Sequence, residues 1–152
     1  MARVMVGVAW VGVLLVASTV GGCATTERQA AMPSVYKQLG GREGIAGIVD
    51  DFVANVVTDN RINTRFKALP PAQVFKLKSN LADQICDATG GPCAYVGRTM
   101  QATHKGMRIT DTEWNATVEA LVKALDKNNV PAGAKNSLLE TLGPMKSDIV
   151  GQ

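Results

Sequence analysis

Arg98-Thr99-Met100-Gln101-Ala102-Thr103-His104-Lys105-Gly106-Met107 carries the only histidine of the 152-residue chain. It lies between Gly90-Gly91-Pro92 and Thr110-Asp111-Thr112-Glu113, two punctuation marks of opposite sense. The glycines tolerate a left-handed stop and the proline cannot continue a helical ladder, so a helix ends before them. Thr110 and Glu113 have capping-box spacing, in which each side chain satisfies the other's free backbone donor, so a helix opens there. Its inner face reads Trp114, Val118, Leu121, Val122 and Leu125. Between the two marks, Val96 and Met100 are apolar anchors of a short helix within 95–104. Upstream, Val74, Leu77, Leu81 and Ile85 form a stripe at spacings of three and four, entered through Pro70-Pro71. Before it, Ile45, Ile48, Val49, Phe52, Val53 and Val56 form another, preceded by a short helix with Tyr36 and Leu39 that stops at Gly40-Gly41. Ile62 and Phe66 mark a further helical turn, and Pro131 opens a last helix with Leu138, Leu139, Leu142 and Met145. No stretch sustains period-two alternation, so the fold class is all-α.

The first two dozen residues differ from this pattern. A positive start at Met1 to Arg3, an apolar run from Val4 to Val20 and the small residues before Cys23 have the layout of a secretory signal. The run is shorter than the roughly 20 apolar residues of a membrane-spanning helix. Val20-Gly21-Gly22-Cys23 resembles the lipobox of bacterial lipoproteins, which implies a signal peptide over 1–22 and a lipidated Cys23 as mature N-terminus. An ordinary secretory signal that ends in cysteine is the alternative. Residues 23–33 are polar and small, the composition of a flexible tether, and 34–152 form a single domain. By the same resemblance, the protein is expected at the periplasmic face of a bacterial membrane. Ala24 rather than an aspartate follows the cysteine, which points to the outer membrane.

The formal net charge of +3 falls to +2 when Arg3 leaves with the signal, too little to imply nucleic acid or another polyanionic partner. With Cys23 assigned to lipid, Cys86 and Cys93 remain in an oxidising compartment. The Gly-Gly-Pro turn between them permits a disulfide; two buried inert thiols are the alternative. Asp50 and Asp51 are adjacent, so their side chains diverge on a helix and do not form an acid–base pair.

A lone histidine is more often structural than a ligand. A zinc site needs three or four protein ligands, and neither a Cys-x-x-Cys pair nor a second histidine is present. Haem needs one protein ligand to its iron and a large apolar slot. A family resemblance bears on this choice. Leu39-Gly40-Gly41, Val49-Asp50-Asp51-Phe52, Gly90-Gly91-Pro92 with Tyr95, Gly97-Arg98-Thr99-Met100 and His104-x-Gly106-Met107-x-Ile109-Thr110 stand in the order and at the spacing of the group I truncated haemoglobins. The chain resembles that family from about Val35 to Gln152. The resemblance implies a globin-like, truncated two-over-two helical sandwich and a b-type haem whose iron is bound by His104.

It also implies roles for other residues. Phe52 and Phe66 would face the haem, Phe66 with a plain core role as its alternative. Leu77 and Leu81 would cross the distal side, and Met100, Met107 and Ile109 would flank the proximal side. Tyr95 and Arg98 would reach the haem edge, where the guanidinium pairs with a propionate or simply stays solvated. The chain departs from the family at Val53, where many relatives carry a ligand-donating tyrosine, and at Leu77 and Leu81, where they carry glutamines. The mapped distal wall is therefore apolar, with Asn80 and Gln84 at the margin of the stripe. The Cys-x-x-Cys-His attachment pattern is absent, so the haem is expected to be extractable.

These implications define a protein that reversibly binds dioxygen, nitric oxide or carbon monoxide. An enzymatic alternative oxidises nitric oxide to nitrate with haem-bound oxygen and an unidentified reductant. A haem-free helical adaptor lipoprotein, with His104 in the core, is the third reading.

Overall fold

The computed structural model describes residues 32–152; the signal, Cys23 and nearly all of the tether lie outside them. Six α-helices follow in order: α1 Val35–Gln38, α2 Gly41–Thr58, α3 Pro71–Ala88, α4 Met100–His104, α5 Asp111–Lys127 and α6 Ala132–Leu142. Single 3₁₀ segments lie at Asn63–Arg65 and Gly143–Asp148.

Local chemistry sets most of these boundaries. Ser34 accepts from the Lys37 amide to cap α1, and Pro71 opens α3 where its missing N–H costs nothing. Thr99 caps α4 by accepting from the Ala102 amide at 3.2 Å. Thr110 and Glu113 form the full reciprocal box at the head of α5. The corner between α1 and α2 turns at Gly40, whose φ is +84°. A side chain at Gly44 would place its Cβ 2.1 Å from the Leu39 carbonyl oxygen, so the corner closes only around glycine.

Helix α2 is the centre of the domain. It packs on α3 and α5, while α6 packs on α3, so the pair α2–α3 lies against the pair α5–α6 as a two-over-two sandwich. The main core joins Ile45, Ile48 and Val49 of α2 to Ile85 and Cys86 of α3, Leu125 of α5 and Leu138 of α6. Each such aliphatic side chain contributes about 1.5–3 kcal/mol on burial. The α2–α5 contact is built on small residues: Ala116, Ala120 and Ala124 recur every fourth position and are all buried. Trp114 and Val118, expected to face the core, line a cavity, and Leu121 both packs on the main core and lines that cavity.

Asp50 and Asp51 diverge, Asp50 pairing with Lys78 of α3 and Asp51 with Lys127 of α5. Val96 is no anchor: it is 91% exposed, because Gly97 and the loop before it keep the chain out of a helix until Met100. Cys86 and Cys93 are joined by a disulfide with their Cα atoms 5.8 Å apart. No strand occurs among the described residues; an isolated parallel bridge ties Ile109 to Val150. Among the same residues no helix is long and apolar enough to cross a membrane.

Candidate functional site

His104 is the last residue of α4, a helix too short to persist alone. Its Nδ1 lies 2.8 Å from the Met100 carbonyl oxygen. With that carbonyl as acceptor, Nδ1 carries the proton and donates, and Nε2 keeps its lone pair. The half-buried ring lines an inner cavity of about 380 Å³ and an outer one of about 1000 Å³. The two cavities share Phe66, Leu77, Leu81, Gln84 and Met100 as walls, so they form one continuous cleft. Their volumes fall in the range of cofactor sites, about 300–1,000 Å³.

The helical stripes explain the walls. Leu77, Leu81 and Gln84 of α3 project together at spacings of four and three, and Val49 and Phe52 of α2 close the inner end. Tyr95, Arg98, Met107 and Ile109 border the outer cavity. The Tyr95 hydroxyl donates to the Arg98 carbonyl oxygen at 2.8 Å, and the Arg98 guanidinium folds back to donate to the Ala102 carbonyl. Of the residues expected from sequence to contact the haem, Val53 alone does not border the cleft. It is 5% exposed and packs within the main core. Gln84, expected at the margin of its stripe, lines both cavities. Its amide nitrogen donates only to the thioether sulfurs of Met100 at 3.5 Å and Met145 at 3.4 Å. Leu139 and Met145, read from sequence only as part of the last helix, and Ile149, which that reading did not single out, complete the floor from α6 and the 3₁₀ turn.

A polar brace holds the far side of His104. Arg65 donates through Nε to Glu113 at 2.7 Å and through Nη1 to the Met107 carbonyl at 3.0 Å. The Arg65 guanidinium and the Thr110 amide hold the Glu113 carboxyl at about 2, well below the ordinary value. The brace joins the turn before Phe66, the segment after His104 and the head of α5. No group of three or more His, Cys, Asp or Glu able to hold a metal occurs among the described residues. Chemically, the cleft suits a large, mostly apolar group attached through one metal–imidazole bond, not a multidentate ion.

A two-over-two helical sandwich enclosing an apolar cleft with a single imidazole is the layout of a truncated globin. The chain belongs to the bacterial-like globin family, whose model matches residues 34–150. It is similar to the group 1 truncated haemoglobin of Mycolicibacterium paratuberculosis, 27% identical over 122 residues that cover 80% of this chain and 88% of the relative. Among solved structures it is similar to the truncated haemoglobin of Tetrahymena pyriformis in its Fe(III) form, with a TM-score of 0.72 and 25% identity. That alignment covers 79% of this chain and all of the other. The 2/2 haemoglobin of a Synechococcus species, solved in the cyanomet state with covalently attached haem, has a TM-score of 0.70 and 28% identity, over 78% and 98% of the two chains.

Proposed function

We propose that this chain holds a b-type haem through Nε2 of His104 and uses it to bind a diatomic gas reversibly. The observation that carries the reading is the imidazole itself: the only histidine, oriented by the Met100 carbonyl, stands at the junction of two apolar cavities of cofactor size. When bound, ferrous haem supplies an iron position that takes dioxygen, nitric oxide or carbon monoxide.

The chain's own residues supply the rest. The Met100 carbonyl fixes the tautomer and turns the ring, which strengthens the imidazole as a ligand. Phe66, Leu77 and Leu81 exclude water and provide apolar contact to a macrocycle. Arg98 stands at the outer cavity, where a guanidinium pairs with a carboxylate. Within the inner cavity, Thr117 spends its hydroxyl on the Glu113 carbonyl at 2.8 Å. Gln84 lines both cavities and its amide donates only to thioethers, which leaves it available to donate to a bound gas. The lipobox-like ending at Cys23 supports the further proposal that the domain is tethered to the periplasmic face of a membrane.

The test is the visible spectrum of protein purified with its haem supply intact, in ferric, ferrous and carbon monoxide states. A Soret band that shifts on carbon monoxide addition in the wild type, and is lost or grossly altered in His104→Ala, supports the reading. A colourless wild-type protein that takes up no added haem overturns it.

A further inference from the structure

We propose that the Cys86–Cys93 disulfide is a redox-operated tie that sets how firmly the cleft retains its occupant; the proposal rests on the functional reading above. The two sulfurs sit in different surroundings. Cys86 is fully buried on the last turn of α3, and Gly91 packs so closely on its Sγ that an added Cβ would stand 2.5 Å away. Cys93 is only half-buried, and the Arg42 guanidinium donates through Nη1 to its Sγ at 3.0 Å while Nη2 pairs with Asp83 at 2.9 Å.

What the tie restrains is the site. Residues 89–99 form no regular element, yet they carry Tyr95 and Arg98 along the outer cavity and lead directly into α4 with His104. Being a single short helix, α4 takes its position from its neighbours. Beyond His104 it is held by the Arg65 bond to the Met107 carbonyl and by the Ile109–Val150 bridge. Before it, the covalent hold nearest to Tyr95 is Cys93, assisted by the Tyr95 amide donating to Asp87 at 3.1 Å. Opening the disulfide leaves the lip from Cys93 to Thr99 tied to α3 by that exposed hydrogen bond, and α4 positioned by the weak Gln84–Met100 contact and its packing on the last 3₁₀ segment.

The chemistry is ordinary exchange with a dithiol reductant. Its thiolate attacks the more accessible Sγ, that of Cys93, and Cys86 Sγ leaves and takes a proton. The second thiol of the reductant then displaces Cys93, whose thiolate the guanidinium stabilises. The protein gains two thiols and the reductant becomes a disulfide, two electrons having passed.

The experiment compares oxidised full-length protein with protein reduced by dithiothreitol, using two readouts. Hydrogen exchange over residues 94–104 of the haem-free chain is expected to be faster after reduction. Transfer of haem to an excess of apomyoglobin is expected to be roughly tenfold faster. Cys93→Ser is expected to behave like the reduced protein with or without dithiothreitol, and reduction of the wild type makes the test independent of that variant's folding. Equal exchange in the two redox states overturns the proposal, as does a response to dithiothreitol that persists in Cys93→Ser. Faster exchange in a chain that takes up no haem overturns the haem reading and leaves the tie standing.

Discussion

Nδ1 of His104 and the carbonyl oxygen of Met100, four residues earlier on the same short helix, are 2.8 Å apart. This bond turns a side chain of unspecified role into an oriented donor, because it leaves Nε2 as the only ring nitrogen with a free lone pair. Losing such an orienting partner from a metal-bound histidine typically costs about 10–100-fold in affinity, so losing the imidazole itself should cost more. His104→Ala is therefore expected to bind haem more than about 100-fold more weakly while keeping its far-ultraviolet helical signal. Free imidazole, small enough for the vacated space, is expected to restore part of the haem uptake. Haem titration with and without imidazole measures both effects, and wild-type uptake by the variant excludes His104 as the ligand.

Glycine at position 44 is enforced by backbone, since an added Cβ would lie 2.1 Å from the Leu39 carbonyl oxygen and nothing flexible can yield. Gly44→Ala is expected to lower stability by about 2–4 kcal/mol. At Gly133 in α6 an added Cβ would meet no atom within 4 Å. Gly133→Ala is therefore expected to raise stability by about 0.5–1 kcal/mol through lower unfolded-chain entropy. Urea denaturation of the two variants separates the steric requirement from a general glycine effect.

Much of this architecture is legible from residue spacing, and the exceptions have physical causes. The stripe of α3 and the capping box of α5 are visible because large apolar side chains and Thr-x-x-Glu carry strong local signals. The alanine face of α5 is not, because alanine is weakly apolar and its role, letting α2 approach, depends on a partner helix. For the same reason Trp114 reads as core when it lines the cleft. The proposal of His104 as a ligand comes from sequence only through the company of its glycines and methionines, whereas the inward turn of Gln84 depends on tertiary placement of Met100 and Met145. Val53 shows the converse: its position follows from the motif, but it packs in the main core and not against the cavity.

Arg65 and Thr110 hold Glu113 at about 2, down from 4.5, and this sets a window of acid sensitivity. A carboxylate whose value is lowered by folding adds stability that is fully present above the unfolded value and is lost as pH falls through the folded one. The contribution of Glu113 is thus expected above about pH 4.5 and to fade towards pH 2. Glu113→Gln keeps a residue suited to the cap but not the charged partner of Arg65. Its stability, followed by denaturation at stepped pH, is expected to fall less steeply than that of the wild type across this window. Parallel slopes would assign no stabilising role to the pair.

Cys23 stands where the lipobox-like motif ends, outside the described residues. Cys23→Ser is expected to move the protein from the membrane fraction to the soluble fraction and to abolish incorporation of labelled fatty acid. Membrane fractionation and metabolic labelling check both. A variant that stays with membranes, from a parent that carries no lipid, excludes the anchor.

Gln84 is the sharpest test of how the cleft treats a bound gas. Its amide donates only to the sulfurs of Met100 and Met145, at 3.5 and 3.4 Å, and thioethers are weak acceptors. Such bonds exchange at little cost for one to a better acceptor. Among its neighbours on the inner wall, Leu77 and Leu81 have no donor and Thr117 is committed to the Glu113 carbonyl, while Trp114 and, at the outer cavity, Asn80 also carry side-chain N–H groups. Leucine at position 84 matches the size of the amide and suits the apolar surroundings, so Gln84→Leu is expected to change stability by less than about 1 kcal/mol. Losing a hydrogen bond of about 1.5 kcal/mol to the ligand is expected to speed dioxygen release about tenfold, while carbon monoxide, a poorer acceptor, leaves with a smaller change. Stopped-flow ligand replacement measures both rates. If the two gases respond equally, the substitution has altered the shape of the cavity; if neither responds, the amide donates to no ligand and the wall is functionally apolar, as Leu77 and Leu81 alone would make it.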